Sequence, residues 1–511
     1  MSVGSEIEYI DEFARDTNLV IKRLFIRGFK SIKDIVLDVK PGINLLVGPN
    51  GGGKTNILEA IYFLSKALYL EAGKIPYMPH APDYWSAIDI IYEKDANSTV
   101  SLGIEYTFNY DYFRIEVRKK PHYSHVRFPL DVIYVIKFIY DLSRDTILPT
   151  VHEITINRDT VFTLSRDGVI YRIPKDVFDF LGGLNLFNKL LDRMGIDEKL
   201  NYEVATDSYI FRYEWVAAPS HPLTPIKLLN LFSALHIYFD RYGHFTGLKK
   251  VDGRKCLTLP IGFPYIKGII PFIISLEKTY DKRIRSRSDL QSSYRMPSEN
   301  ILHNIIEITN SIIGKIILLK HPDMGSLGDP KPIHGTTRLD IRARNLAPIL
   351  LILQGKKGGL PYSIERAIKS LFPAYKLKLN SSFGKVVLTV EENGLELSPS
   401  NIPDGFIKLI SILTAVEQSP LVLLIDEIEN SMHARMLEYI VDVLNSLDYP
   451  VLVATHSPVM VDLVDPERII LVYKTSEEGT KVERIGDYKQ LMRKLNELGV
   501  SVSDYIFHHK T

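Results

Sequence analysis

The chain has 511 residues, a length that allows two or three domains, each with its own hydrophobic core. Its 62 lysines and arginines balance 61 aspartates and glutamates, which gives a formal net charge of +1. A uniformly basic nucleic-acid coat protein is therefore excluded, although local basic patches are not. The one cysteine, Cys256, excludes an internal disulfide and a cysteine-based zinc site, and it favours a reducing compartment.

The sequence has no pattern typical of a signal peptide or of a membrane-spanning helix. Residues 1–16 are acidic and lack the basic region of a signal peptide. The most apolar stretch, Ile261–Leu276, contains a lysine and two prolines and is shorter than the roughly 20 residues that a membrane-spanning helix needs. We therefore expect a cytoplasmic protein with no membrane partner.

The N-terminal part predicts a strand pair followed by a strand–loop–helix unit. Residues 19–28 and 34–39 alternate between apolar and polar side chains, as paired strands do. Ile43–Val47 is a short, continuous apolar run, which is typical of a buried parallel strand. A glycine-rich loop ends this run, and apolar residues then recur at helical spacing over Thr55–Leu70.

The middle of the chain, residues 125–335, differs from both ends in its predicted secondary structure. It predicts helices near residues 176–194, 223–241 and 299–319, mixed with strands and proline-rich turns. No heptad pattern persists over more than about three heptads, so a long coiled-coil arm is not expected.

The last third predicts a second α/β unit. It starts with a hairpin around Asn393–Gly394, between strands at Lys385–Val390 and Leu395–Leu397. The expected elements after the hairpin alternate in type: helix Phe406–Val416, strand Leu421–Ile425, helix Ala434–Leu447, and strands Val451–Ala454 and Ile469–Tyr473. This alternation implies a parallel sheet with helices on its faces.

One motif predicts a phosphate-binding loop. Its residues fit the pattern G-x-x-x-x-G-K-[ST]: Gly48, Pro49, Asn50, Gly51, Gly52, Gly53, Lys54 and Thr55. Glycines allow the backbone N–H groups to surround phosphates, and the N-terminus of the following helix favours an anion. We expect Lys54 to reach the β- and γ-phosphates of ATP and the Thr55 hydroxyl to bind Mg²⁺.

Two further motifs follow buried strands. Asp426 and Glu427 come directly after an apolar strand, at the edge where ligands bind in open α/β sheets. We predict that Asp426 holds Mg²⁺, largely through water, and that Glu427 is the general base. His456 follows the next strand, where a near-neutral imidazole can hydrogen-bond the γ-phosphate.

The spacing of these motifs predicts the domain organisation. About 370 residues separate Lys54 from Asp426, far more than a compact nucleotide-binding domain needs. The predicted fold class is an α/β P-loop head, with a mixed, largely parallel sheet and flanking helices, carrying a large, mainly helical or mixed insertion. The predicted segments are an acidic extension at 1–18, the first part of the head at 19–124, the inserted domain at 125–335 and the second part of the head at 336–511.

Together with Phe29-Lys30-Ser31, these motifs resemble the RecF/SMC/OLD-like group of ABC-type AAA ATPases. The similarity covers Arg23–Ser65 and Arg342–Asp465, about a third of the chain. It implies a head that dimerises with ATP held between the phosphate loop of one subunit and the signature motif of the other. It further implies that Lys30 lies near the nucleotide. Asn430 and Ser431 are implied to lie near the loop that crosses the dimer.

The chain departs from this family at the signature, which usually reads L-S-x-G. Here the motif is Ile402-Pro403-Asp404-Gly405, so Pro403 lacks the hydroxyl that would reach the partner's γ-phosphate. Gly405 and the dipole of the helix behind it remain, and Ser400 is a candidate substitute. Gln354 is a candidate for the family's conserved glutamine. Relatives of the OLD type continue into a Toprim nuclease, whose acidic cluster is missing after Pro458, so an ATPase without that nuclease is implied.

Two basic segments are candidates for contact with nucleic acid. Tyr110–Phe128 interleaves arginines and lysines with aromatic residues, and Lys278–Arg295 carries four basic residues within six positions, at 282, 283, 285 and 287. A solvated charged surface is the alternative reading of both segments.

These motifs predict an enzyme that binds and hydrolyses ATP with Mg²⁺. We expect an ATP-dependent homodimer that couples the cycle to double-stranded DNA or an effector protein, in DNA repair or antiviral defence. Two alternatives remain open: a nucleotide-gated interaction module with slow hydrolysis, and a transporter-type ATPase. The degenerate signature, the large insertion and the F-K-S opening count against a transporter.

Overall fold

The fold was obtained as a computed structural model. It describes residues 19–66, 86–116, 122–143, 145–156, 159–165, 168–174, 201–204, 208–214, 249–251, 254–260, 309, 312–333, 338–398, 401–484, 493 and 503.

The described residues form 21 strands and six α-helices. The strands are β1 (Val20–Phe29), β2 (Ile32–Asp38), β3 (Gly42–Val47), β4 (Val100–Glu116), β5 (His122–Asp141), β6 (Thr146–Ile156), β7 (Asp159–Ser165), β8 (Gly168–Pro174), β9 (Asn201–Val204), β10 (Ser208–Glu214), β11 (Lys249–Val251), β12 (Arg254–Pro260), β13 (Ile316–Leu319), β14 (Lys331–Pro332), β15 (Tyr375–Ser382), β16 (Lys385–Glu392), β17 (Leu395–Leu397), β18 (Val422–Ile425), β19 (Pro450–Thr455), β20 (Ile469–Thr475) and β21 (Gly479–Arg484). The α-helices are α1 (Lys54–Lys66), α2 (Leu346–Lys357), α3 (Tyr362–Leu371), α4 (Asp404–Glu417), α5 (Ala434–Asn445) and α6 (Pro458–Leu463).

Five parallel strands form the centre of the fold, in the order β13-β18-β19-β3-β20. Every residue of the first four is buried, because helices cover both faces of this part of the sheet. Helix α1 packs on β13, β18 and β19, while the side chains of Ile43, Leu45 and Val47 join the core formed with α2 to α6. The carboxyl ends of β3, β18 and β19 therefore lie side by side.

An antiparallel part continues the same sheet. β20 pairs with β21, which meets β2 at Ile32 and Gly479, and the sheet then runs through β1, β4, β5, β6, β7, β8, β10 and β9. β12 also pairs with β4, and β11 pairs with β12. Large aromatic side chains fill the interior of this part, including Tyr106, Phe108 and Tyr134.

A second, smaller sheet consists of β14, β15, β16 and β17. It packs against α2 and α3. Its β16–β17 hairpin turns at Asn393 and Gly394, which have φ angles of 52° and 88° as such a tight turn requires. The hairpin and the alternating elements predicted for the last third are confirmed, as are the strand pair, β3 and the helix up to Lys66 near the start.

The predicted domain boundaries need correction at two points. The boundary between residues 124 and 125 falls inside β5, which pairs with β4 from Val100–Phe138 to Glu116–His122. The boundary at residue 336 falls after β13, which already belongs to the parallel sheet. The helix predicted near 299–319 is wrong at its end, because Ile316–Leu319 are a buried strand.

The rest of the domain division stays a prediction. The described part of 125–335 consists mainly of strands, whereas the helices predicted near 176–194 and 223–241 and the extension at 1–18 lie outside the described residues. Within the described ranges, the helices are too short or too polar to cross a bilayer.

Candidate nucleotide-binding site

The glycine-rich loop joins β3 to α1 and packs closely against β20 and β21. Gly51 and Gly53 have φ angles of 77° and 109°, which favour glycine. A Cβ atom on Gly48 would lie 1.8 Å from the carbonyl oxygen of Val472, and one on Gly53 would lie 2.2 Å from Thr480 Oγ1. Strands β20 and β21 therefore brace the loop, and its glycines are required by close approach as well as by conformation.

Lys54 lies inside this loop. Its Nζ donates to the carbonyl oxygens of Gly48 at 2.8 Å and Pro49 at 3.0 Å, and the side chain is buried. Burial lowers the pKa of Lys54 to about 8, although the neighbouring carboxylates act in the opposite direction. A cation held among backbone oxygens in this loop is placed to bind phosphate.

Thr55 and Asp426 form the candidate magnesium site. Thr55 Oγ1 donates to Asp426 Oδ1 at 3.2 Å. Burial raises the pKa of Asp426, and the bond from Thr55 opposes that effect. Neighbouring oxygens in an octahedral magnesium shell with bonds of about 2.1 Å lie about 3 Å apart, so this pair fits Mg²⁺ together with phosphate oxygens and water.

Glu427 has a strained backbone and a fixed side chain. Its φ of 49° is uncommon for a residue with a side chain. Asn430 Nδ2 donates to Glu427 Oε2 at 2.6 Å, and the exposed carboxylate faces solvent, where a water molecule has access. The buried Lys408 of α4 donates to the carbonyl oxygen of Glu427. Lys408 was not predicted as a site residue, although a lysine within a mostly apolar helix is a signal that the sequence contains.

Glu429 positions the histidine that follows β19. It accepts hydrogen bonds from the backbone N–H of His456 at 2.6 Å and from Thr455 Oγ1 at 2.8 Å. His456 Nδ1 lies 3.4 Å from Lys54 Nζ. Burial, followed by the charge of Lys54, lowers the pKa of His456, so its ring is neutral at pH 7. Glu429 was not predicted as a site residue, although it is the third acid of the run that contains Asp426.

Lys30 is held beside α1. It has a φ of 50°, its backbone N–H donates to Ile90 at 2.8 Å, and its Nζ forms an ion pair with Glu59. Glu59 lies one helical turn after Thr55, so Lys30 is at the same end of the site as the phosphate loop. Its predicted contact with nucleotide stays a prediction.

The signature segment begins α4. Pro403 is the N-cap residue, is exposed and forms no side-chain capping bond. Gly405 is buried: a Cβ atom there would lie 2.1 Å from the carbonyl oxygen of Ser431 in the same chain. That contact explains the glycine, and its role towards a partner's nucleotide stays a prediction. Ser400 lies outside the described residues, and Gln354 is on α2, which packs against the second sheet.

The two basic segments remain untested. The backbone of Tyr110–Phe128 belongs to β4 and β5 on both sides of the connection between them, but its side chains lie outside the described part of the structure. Lys278–Arg295 lies entirely outside the described residues.

Two family models match the parts of the chain that build the site. The "RecF/RecN/SMC N terminal domain" matches residues 20–83, which contain the phosphate loop. The "AAA domain, putative AbiEii toxin, Type IV TA system" matches residues 312–462, which contain Asp426 and His456. Both blocks are therefore similar to ABC-type AAA ATPases of the RecF/SMC group. The two blocks meet at one sheet edge although they are far apart in the chain, because β3 pairs with β19 and β19 with β18.

Curated relatives resemble the chain in its first block. The DNA replication and repair protein RecF of Psychromonas ingrahamii is 57% identical over 44 residues, covering 9% of this chain and 12% of RecF. RecF of Erwinia tasmaniensis is 45% identical over 60 residues, covering 11% of this chain and 17% of RecF. The chain thus matches less than a fifth of the length of these relatives.

Solved structures of SMC heads align along most of the chain. The Smc head domain of Pyrococcus furiosus, with an extended coiled coil and bound to the C-terminal domain of ScpA, has a TM-score of 0.39 at 14% identity, covering 94% of this chain and 100% of that one. The SMC head domain of Thermotoga maritima has a TM-score of 0.33 at 10% identity, covering 91% and 99%. These TM-scores are too low to define a shared overall fold.

Proposed function

We propose that this ATPase binds ATP with Mg²⁺ and hydrolyses it, and that ATP binding brings two heads together. The observation that supports this proposal is the convergence of five side chains at the carboxyl ends of β3, β18 and β19: Lys54, Thr55, Asp426, Glu427 and His456. Ligands bind at this edge in open α/β sheets, and each side chain has a chemistry that phosphoryl transfer uses.

Each residue has a defined task in this proposal. Loop N–H groups, Lys54 and the N-terminus of α1 neutralise the phosphates. Thr55 and Asp426 would hold Mg²⁺, which neutralises charge on the phosphate oxygens when it is bound. Glu427 accepts a proton from the attacking water, and Asn430 fixes its carboxylate.

The remaining polar groups position the γ-phosphate. His456 is neutral, so one ring nitrogen carries a proton that it can donate to a phosphate oxygen. Glu429 holds the backbone of His456 in place from the turn that follows β18. The histidine therefore needs no rearrangement of its backbone when nucleotide binds.

The start of α4 supports a dimer. Pro403 and Asp404 are exposed at the N-terminus of a helix of 14 residues. The dipole and free N–H groups of such an end favour an anion, and in this proposal the anion is the γ-phosphate bound by a second copy of the chain.

The cellular role is an extension of the same proposal. Relatives of the first block are named as DNA replication and repair proteins, and the model matching the second block is named for a toxin of a type IV system. We propose that the ATPase couples its cycle to double-stranded DNA or to an effector protein, in DNA repair or antiviral defence.

Turnover measurements test the proposal directly. ATP hydrolysis by the full chain should require Mg²⁺, disappear in Lys54→Ala and change when double-stranded DNA is added. Affinity for DNA should fall steeply between about 50 and 200 mM salt because bound counterions are released. Absence of ATP binding by the unmodified chain would contradict the proposed function, and absence of DNA binding at low salt would favour an effector protein.

A second candidate is a nucleotide-gated interaction module with slow hydrolysis. The specific observation in its favour is Pro403, which supplies no hydroxyl at the exposed start of α4. Binding and single-turnover measurements separate the two: the module binds ATP tightly, forms a complex with its partner, and releases phosphate much more slowly than it binds nucleotide.

A further inference from the structure

Lys320 follows the edge strand of the parallel group, next to the magnesium site. β13 pairs with β18 so that Leu319 lies opposite Ile425, and Lys320 therefore follows β13 just as Asp426 follows β18. The backbone N–H of Asp426 donates to the carbonyl oxygen of Leu319 at 2.9 Å, which fixes the two strand ends together. The backbone N–H of Lys320 donates to Ile341 at 2.8 Å, so its Cα position is also fixed.

The carboxylate of Glu59 binds two lysines, Lys320 and Lys30. Lys320 Nζ lies 2.5 Å from Glu59 Oε1, and Lys30 Nζ binds Glu59 Oε2. The three side chains come from different parts of the chain, and their exposed fractions are 24%, 18% and 14% for Lys320, Lys30 and Glu59. Burial disfavours ionisation of Glu59, but the two lysines outweigh it and lower its pKa, so the carboxylate is charged.

The cluster lies next to the candidate magnesium site, since Lys320 follows the strand that pairs with the strand before Asp426. Both lysines bind the carboxylate of Glu59, and each of its two oxygens accepts from one ammonium group. A partly desolvated cation is stabilised by further anionic groups. The groups that face Lys320 here are Glu59 and, at longer range, Asp426, and the phosphates of a bound nucleotide would bring further negative charge to the same edge.

We propose that Lys320 is a nucleotide-binding residue: when a nucleoside triphosphate binds, its ammonium group leaves Glu59 and contacts the terminal phosphate. This inference rests on the proposed ATP site and adds a second phosphate-binding lysine to Lys54. Glu59 keeps Lys30, so its carboxylate remains paired after the exchange. Lysine suits this exchange because its ammonium is a point charge on a flexible stem, which can change partners without a fixed geometry.

Binding of a non-hydrolysable ATP analogue and of ADP to the full chain, measured by calorimetry, tests the proposal. Lys320→Gln should weaken the triphosphate about tenfold or more, since a hydrogen bond to a charged group is lost. The same substitution should change ADP affinity much less, because ADP lacks the terminal phosphate. Lys331→Gln is the matched control: Lys331 lies on β14 and pairs with Asp329, so both affinities should stay unchanged.

A second variant separates phosphate binding from a structural role. Glu59→Gln removes the competing carboxylate, so it should maintain or tighten binding of the triphosphate. If the ion pair only supports the fold, Lys320→Gln and Glu59→Gln should instead weaken both nucleotides equally and lower the melting temperature together. That result, or unchanged triphosphate affinity in Lys320→Gln, overturns the proposal. Failure of the unmodified chain to bind ATP would contradict the proposed function itself.

Discussion

Thr55 Oγ1 and Asp426 Oδ1 are 3.2 Å apart although 371 positions separate them in the chain. This hydrogen bond joins the first turn of α1 to the residue that follows β18. It therefore connects the two blocks that the family models match separately. A magnesium ion bound with ATP would take both oxygens as ligands or reach Asp426 through water. The two blocks are therefore one site, and its residues can be tested one by one.

Lys54→Ala should abolish ATP binding. The lysine is the cation enclosed by the phosphate loop, where its Nζ contacts Gly48 and Pro49, and alanine leaves the phosphate charge without that partner. Calorimetry with ATP and Mg²⁺ measures the effect. Lys385→Ala, at an exposed position on β16, is the control and should bind ATP normally. Unchanged affinity in Lys54→Ala would refute the assignment of the loop.

Glu427→Gln should retain ATP and Mg²⁺ yet slow hydrolysis by roughly 10²–10⁴-fold, because glutamine cannot accept the proton of the attacking water. Nucleotide then stays bound, so an ATP-dependent dimer should accumulate and double the mass measured by light scattering. Glu396→Gln, on the exposed strand β17, should leave turnover unchanged. Normal turnover in Glu427→Gln would show that another group is the base.

Pro403→Ser should tighten the ATP-dependent dimer, raise turnover, or both. The new hydroxyl would reach the partner's phosphate, and a hydrogen bond to a charged group contributes about 1.5–3 kcal/mol, enough for a change of more than tenfold. Serine also caps a helix, so Pro403→Ala is needed as a control that removes the proline without adding a hydroxyl. If Pro403→Ser behaves like Pro403→Ala, and Glu427→Gln stays monomeric with ATP, the head acts without a partner.

Glu429→Ala should lower turnover while ATP binding is retained. The substitution leaves the backbone N–H of His456 and the hydroxyl of Thr455 without their acceptor, so the histidine loses its position. Leaving buried donors unpaired also costs about 1–3 kcal/mol of the free energy of unfolding. Steady-state turnover and urea unfolding measure both effects, with the exposed Glu438→Ala as control. Unchanged turnover would mean that His456 needs no support from Glu429.

His152 should make the fold sensitive to mild acid. Burial lowers the pKa of His152 to about 4, and its Nδ1 is hydrogen-bonded to Tyr134 at 2.8 Å. An unfolded histidine has a pKa near 6.5, so the unfolded state binds more protons between about pH 4 and pH 6.5. The free energy of unfolding therefore falls as the pH drops through this range, by up to about 3 kcal/mol from this group.

Urea unfolding at several pH values tests this effect. His152→Leu should flatten the dependence between pH 6.5 and pH 4.5, whatever its stability at neutral pH. Tyr134→Phe loses the same hydrogen bond but keeps the buried histidine, so its pH dependence should resemble that of the unmodified chain. An equal slope in the unmodified chain and His152→Leu would contradict the prediction.

Sequence alone determined the elements whose signal is local. The phosphate loop requires glycines and a lysine in a fixed order between a strand and a helix, and Gly48 to Thr55 have that order. The buried strand before Asp426 is a continuous apolar run, and the hairpin at Asn393–Gly394 needs residues that accept a positive φ. Such patterns depend on neighbours in the chain, and the structure confirms these elements.

Only the tertiary structure showed which residues, distant in the chain, form hydrogen bonds and ion pairs with one another. Glu429 supports His456 from the turn that follows β18, and Lys320 binds Glu59 across a separation of 261 positions. The extent of the antiparallel sheet could likewise not be predicted from the sequence. The predicted domain boundary between residues 124 and 125 falls inside β5, and only the pairing of β5 with β4 shows that the sheet continues there. A hydrogen bond or ion pair between distant residues leaves no periodicity in the chain, since its geometry exists only after the strands have been brought into one sheet.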